Sequence, residues 1–385
     1  MRASEESLFR AVFFFLGLGI LVACQKNQTI AVQKSLQPLT ETPHKSVATT
    51  AVVGGLVPTP PLDLPLVTPD EPAPDASSAI EAIPIQKRAG FSISSPASAG
   101  QWAGRLGAGW YLDWQAEGIA EDMPEHWKMV RVTDRGYHPT LKKIQAIAKD
   151  DPGGVWIIGN EPDVIWQDNV PPETYARSYG RLYDTIKDAD PTALIAVGGI
   201  SQATPLRLQY LDRVLQAYQK FYGKPLPADW WTVHGYVLRE QRNSWGVEIP
   251  PGFQEDQGIL YEIGDHGRLD YFEKQLRDFR DWMKRNGYQD APLALTEFGI
   301  LMPAEYGFPP EFVAGYLKDT FKLLATLRDE TTGYPDDDYR LVQRWAWFSL
   351  ADPNFPTSDL ADLEQDRLTL VGQAFREFVI LSIEH

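Results

Sequence analysis

The sequence predicts a (β/α)8 barrel over residues 88–385, preceded by a signal segment and a disordered proline-rich linker. Three observations carry that expectation. Beyond Lys87, short apolar β-prone runs alternate with longer amphipathic segments, the pattern of βα units around a parallel sheet. Eight such runs can be counted, in a stretch that suits a barrel of about 250 residues plus insertions. No G-x-G-x-x-G or P-loop pattern follows any of them, as it normally does in a doubly wound nucleotide-binding sheet. The composition supplies the core, since 43% of the 385 residues are hydrophobic and 12% aromatic.

In chain order, the first strand is expected at Gly90 to Ser94 (GFSIS), in a Ser-, Ala- and Gly-rich stretch. The next three are Gly107 to Trp114 (GAGWYLDW), Met129 to Thr133 (MVRVT) and Val155 to Asn160 (VWIIGN). Four more follow at Leu194 to Gly199, Trp231 to Tyr236, Leu293 to Glu297 and Gln343 to Phe348. Helices are expected over Pro139 to Ala148, Pro172 to Ala189, Pro205 to Phe221, Leu269 to Asn286 and Pro310 to Leu327. Proline suits a first helical turn because the N–H it lacks would be unpaired there. No internal repeat is evident.

The amino-terminal 24 residues read as a signal. Arg2 and Arg10 precede an apolar stretch from Ala11 to Ala23, about 13 residues long and short of the roughly 20 that span a bilayer as a helix. The tetrapeptide Leu21-Val22-Ala23-Cys24 resembles a bacterial lipobox. That resemblance implies cleavage before Cys24, lipid attached to it, and an extracytoplasmic protein held at a membrane. Residues 25–87 hold ten of the 30 prolines and no Phe, Trp or Tyr. Such a stretch cannot offset its ordering entropy by burial, so it reads as an extended tether. After Lys87 there are 30 basic and 44 acidic residues, so −14 of the net charge of −16 belongs to the barrel. That field repels polyanions and argues against a nucleic-acid partner. A single cysteine excludes internal disulfides and thiolate metal clusters.

Chemistry in such a barrel sits where strands run out into βα loops. The fourth strand ends Ile158-Gly159-Asn160-Glu161-Pro162-Asp163, and the seventh ends Leu295-Thr296-Glu297-Phe298-Gly299. A glutamate where an apolar strand terminates is costly unless it is paired or used. A salt-bridged strand end would account for either one alone; both together, on strands four and seven, point to chemistry. N-E-P and T-E-F-G at these places resemble the acid/base and nucleophile signatures of clan A glycoside hydrolases, the 4/7 superfamily. His234-Gly235-Tyr236 resembles the H-x-Y of its cellulase-like members, and Gly198-Gly199 resembles the G-G of the family 39 group.

The resemblance implies a retaining glycoside hydrolase for a β-linked poly- or oligosaccharide, with Glu161 as acid/base and Glu297 as nucleophile. Asn160 would hydrogen-bond a sugar 2-hydroxyl, Tyr236 would donate to Glu297, and His234 would share their face. All twelve tryptophans lie beyond residue 88; of these Trp347, near the end of strand eight, is the expected stacking platform for a sugar ring. The long connection from Val237 to Gly267 would form a wall or lid. No cofactor is implied, and His234 lacks the second ligand at helical spacing that would suggest a metal. A transglycosylase of the same fold and a non-catalytic carbohydrate-binding barrel are the rival classes.

Overall fold

The computed structural model describes residues 83–94, 98–118 and 124–381. The signal, Cys24 and nearly all of the tether lie outside the described residues. Among the described residues no helix is long and apolar enough to cross a membrane.

Eight parallel strands form a (β/α)8 barrel: β1 (Ala89–Ser92), β2 (Trp110–Leu112), β3 (Lys128–Thr133), β4 (Val155–Ile158), β5 (Leu194–Val197), β6 (Trp231–His234), β7 (Leu293–Phe298) and β8 (Arg344–Trp347). Ladders join β8 to β1, β1 to β2, β3 through β4 to β5, and β6 through β7 to β8. Bridges Ala196 to Trp230 and Ile200 to Val233 link β5 with β6. The pair Glu125–His126, running straight into β3, joins it to β2. The ring is closed, leaving no open edge.

Besides a single turn at Ile85–Arg88, the helices are α1 (Ala99–Leu106), α2 (Leu141–Asp150), α3 (Pro172–Ala189), α4 (Pro205–Tyr222), α5 (Leu269–Arg285), α6 (Pro310–Thr326) and α7 (Leu370–Leu381). The five helices α2 to α6 stand where the sequence places them, within two residues at each end, and α1 and α7 are additions to that reading. Among the described residues no helix stands between β2 and β3.

Alternation along the strands sorts the core into two layers. Trp110, Leu112, Met129, Val155, Ile157, Ala196, Ala294 and Ala346 point into the barrel, while their neighbours in sequence meet the helices. The amino-terminal end of the barrel is stoppered. Trp127 packs on Trp110 and Trp230 at ring separations of 4.7 and 5.1 Å, and the Arg344 guanidinium lies over Trp127 and Trp230. Glu125 ties the stopper together, accepting from Arg344 at 2.5 Å and from the Trp127 indole at 3.0 Å.

Before β1, Gln86 donates to Val379 O in α7 at 3.2 Å, and Arg88 pairs with the buried Asp337 at 2.6 Å. The segment 83–88 is thereby fastened to the barrel.

Candidate active site

At the opposite, carboxyl-terminal end, strand irregularities bring three ionisable side chains together. Between β6 and β7 the register runs Val233 to Leu295 and then His234 to Glu297, so Thr296 is an extra residue in β7. A bulge of this kind re-aims the side chains beyond it; here it sets His234 and Glu297 side by side. From β4, Glu161 reaches the same point by a sharp turn, with its backbone in the left-handed region at φ +43. A non-glycine residue is strained there and must be held by its surroundings. Glu161 N–H donates to Gly199 O at 2.9 Å and its carbonyl accepts from Val164 at 3.0 Å. Gly198 and Gly199 are needed for this approach: a Cβ on Gly198 would sit 2.5 Å from Gly159 O, and one on Gly199 would sit 2.8 Å from His234 Cδ2.

One carboxylate oxygen of Glu161, one of Glu297 and a ring nitrogen of His234 all lie within 4.8 Å of one another. His234 Nδ1 is 2.9 Å from Glu161 Oε1 and 3.6 Å from Glu297 Oε2. Both neighbours are acceptors, so the proton belongs on Nδ1. Tyr236 Oη donates to Glu297 Oε2 at 3.2 Å, and the Trp114 indole N–H donates to Glu297 Oε1 at 2.8 Å. A cation held by the trio would have to displace the Nδ1 proton that binds them together.

Burial pushes the Glu297 carboxyl up from its ordinary range, and the Glu161 charge adds to this, while His234, Trp114 and Tyr236 oppose it. Burial alone would push His234 down, but the two glutamates outweigh it and raise the imidazole above its ordinary range. Burial, then the charges of Glu297 and Glu161, keeps Tyr236 a neutral phenol and hence a donor.

Asn160 is 2% exposed; its N–H donates to Asp168 Oδ2 at 2.7 Å, its side-chain nitrogen lies 3.5 Å from Gln167 Oε1, and its side-chain oxygen has no protein partner. Asp168 also accepts from Val132 N–H at 3.0 Å and from Arg131 at 2.6 Å, which fastens the β4 turn to β3.

The structure corrects the expectation for Trp347. Its ring is 0% exposed, packs against Phe298, Tyr316 and Phe321, and its indole donates to Ser358 O at 2.8 Å. Ala346 occupies the inward position on β8, so Trp345 and Trp347 both face the helices and cannot stack on a sugar. Phe348, one residue on, takes the site side, edge-on to Trp114 at 6.0 Å and to Tyr236 at 6.4 Å.

Pattern reading also missed a buried network behind Glu161. Arg207, at the start of α4, bonds Asp163 and, at 2.8 Å, Glu240 of the 237–267 connection. Glu240 further accepts from Thr204 at 2.5 Å and from Ile259 N–H at 2.9 Å. His266 joins the same connection to the β7 loop, taking Leu301 N–H at 2.9 Å and donating to Val237 O at 3.0 Å. Burial, with no charged partner, pushes this imidazole down to about 4, so it is neutral.

No family pattern matches the sequence, and no curated protein matches it. Solved structures resemble its fold. A GH128 (subgroup II) endo-β-1,3-glucanase from Pseudomonas viridiflava aligns with a TM-score of 0.52 at 19% identity, over 75% of this chain and 96% of that one. A GH128 (subgroup III) curdlan-specific exo-β-1,3-glucanase from Blastomyces gilchristii, in complex with glucose, gives 0.52 at 17% identity over 75% and 97%. A glutamate variant of a GH128 (subgroup I) endo-β-1,3-glucanase from Amycolatopsis mediterranei, holding laminaritriose and laminaribiose, gives 0.51 at 18% over 75% and 98%. At this level of identity the chain shares with these glucanases the barrel fold.

Proposed function

We propose that this protein is a retaining β-glycosidase that cleaves a β-linked glucan, with β-1,3-glucan the first candidate, and that it acts outside the cytoplasm on a lipid anchor at Cys24. The observation that carries the reading is the approach of Glu161 and Glu297 oxygens to within 4.8 Å at the carboxyl ends of β4 and β7. Retaining hydrolysis needs two carboxyl groups about 5 to 5.5 Å apart, whereas inversion leaves room for a water at about 6.5 to 9.5 Å.

The donor sets divide the roles. Glu297 accepts from an indole and a phenol, partners that favour a carboxylate, which suits the nucleophile. Glu161 then delivers its proton to the glycosidic oxygen as Glu297 attacks the anomeric carbon; the C–O bond breaks and a glycosyl ester forms on Glu297. In the second step Glu161 takes a proton from water, the water oxygen bonds the anomeric carbon, and Glu297 leaves as the carboxylate. The carbohydrate ligands of the structural neighbours support a glucan. The excess of acidic residues favours a neutral polymer over an acidic one.

The test is hydrolysis of a polysaccharide panel that includes a β-1,3-glucan, followed by NMR of the first-formed anomer, beside Glu161→Gln and Glu297→Gln. Retained β-product, lost by at least a thousandfold in either variant, is expected. No cleavage of any β-glucan, or undiminished activity in both variants, refutes the assignment; an inverted first product refutes the nucleophile role.

A further inference from the structure

At the end of β2 two buried side chains take no part in the hydrolysis itself. Asp113 and His126 are 0% and 8% exposed in their side chains, and Asp113 Oδ1 lies 2.8 Å from His126 Nε2. The carboxylate only accepts, so Nε2 carries the proton. The same oxygen accepts the N–H of Gln115 at 3.1 Å. Between Asp113 and Gln115 stands Trp114, with its backbone in the left-handed region at φ +57. Regular pairing holds both flanks: Ile93 N–H donates to Leu112 O at 3.0 Å, and Met129 N–H to Gln115 O at 2.7 Å. Asp113 closes the bend between them. His126 is itself fixed, stacked on Tyr111 at 4.8 Å and followed at once by Trp127, whose N–H donates to Tyr111 O at 3.0 Å. A left-handed backbone is strained for a non-glycine residue, so something must hold Trp114 there.

We propose that the Asp113–His126 pair is a positioning device for the nucleophile, locking the turn that aims the Trp114 indole at Glu297. The proposal rests on the reading of Glu297 as the attacking group, but its test does not require turnover. The groups facing Glu297 are Trp114 from the end of β2, Glu161 from β4, and His234 and Tyr236 from β6. Removing the Trp114 donor takes away a contact that stabilises the carboxylate, so Glu297 would titrate higher. Removing the Asp113 charge acts through space with the opposite sign and would make it titrate lower. The direction of the shift therefore separates positioning from simple electrostatics.

The experiment follows the Glu297 carboxyl in [13C]glutamate-labelled full-length protein through a pH titration by NMR, with the signal assigned by its loss in Glu297→Gln. Trp114→Phe, Asp113→Ala and His126→Ala are each expected to raise the Glu297 titration by roughly one pH unit, the linkage of one hydrogen bond to a charged group. The double variant Asp113→Ala/Trp114→Phe should shift no further than Trp114→Phe alone. His126→Gln, which keeps an N–H donor for Asp113, should titrate as wild type. Unmoved or lowered titration in Asp113→Ala and His126→Ala, or additive shifts in the double variant, overturns the proposal. If Asp113→Ala does not fold, the contrast between His126→Ala and His126→Gln decides the matter alone. Shifted titrations in a protein that cleaves no glycan would retain the positioning and sink the hydrolase.

Discussion

His234 stands between two carboxylates, and its charge opposes the burial that raises the Glu297 carboxyl. Because burial and Glu161 raise Glu297 above the ordinary glutamate value of 4.5, the attacking carboxylate is lost on acidification earlier than a free glutamate would be. The acid limb of kcat/KM should accordingly lie above pH 4.5. His234→Gln removes the cation that opposes this shift, so the limb should move further up; a limb that moves down or stays in place in a pH–rate profile would contradict the geometry. Glu161, His234 and Tyr236 were legible in the sequence because each falls at a strand end with inward parity; Glu297 was legible as a charge closing an apolar run, but it faces the site only because the extra residue Thr296 shifts its register. Trp347 was misread for a physical reason: alternation fixes that Trp345 and Trp347 share a face but not which face, and the small Ala346 takes the barrel interior. Trp114 could be seen as a tryptophan near a strand end, but its aim depends on a backbone turn that no spacing reveals.

Among the elements, α4 does more than cover the barrel. Its first turn carries Arg207 between Asp163, two residues beyond Glu161, and Glu240 in the long connection after β6. All three are fully buried, so removing the cation leaves two uncompensated carboxylates in a low-dielectric interior. Arg207→Met should cost about 3 to 5 kcal/mol in urea unfolding. The exposed pair Arg213–Glu173 on the neighbouring surface is the control, and Arg213→Met should cost about 1 kcal/mol or less. In sequence Arg207 looks like any arginine near a helix start, since its partners are 44 and 33 residues away. Helices α2 to α6 were readable from period and from proline starts. The short α1, Ala-Gly-Gln-Trp-Ala-Gly-Arg-Leu, was not: its two glycines weaken helical propensity, and tertiary packing of Trp102 and Leu106 makes up the difference.

For the whole molecule, the proposed division into signal, tether and barrel would set where the chemistry takes place. If Cys24 carries lipid, the protein should partition with membranes, and Cys24→Ser should release it to the soluble fraction; unchanged membrane association on fractionation would refute the anchor. The eight-strand count was accessible from the sequence because every strand is a short apolar run between longer segments. The closure of the ring and its stopper were not, because Glu125, Trp127, Trp230 and Arg344 meet only when distant strands converge. That stopper has a consequence for traffic. With inward side chains packing its interior and aromatic rings closing one end, the barrel is a solid core and not a tunnel, so no polymer can be threaded through it. A glycan cleaved at this site would have to enter and leave by the same, carboxyl-terminal end of the barrel.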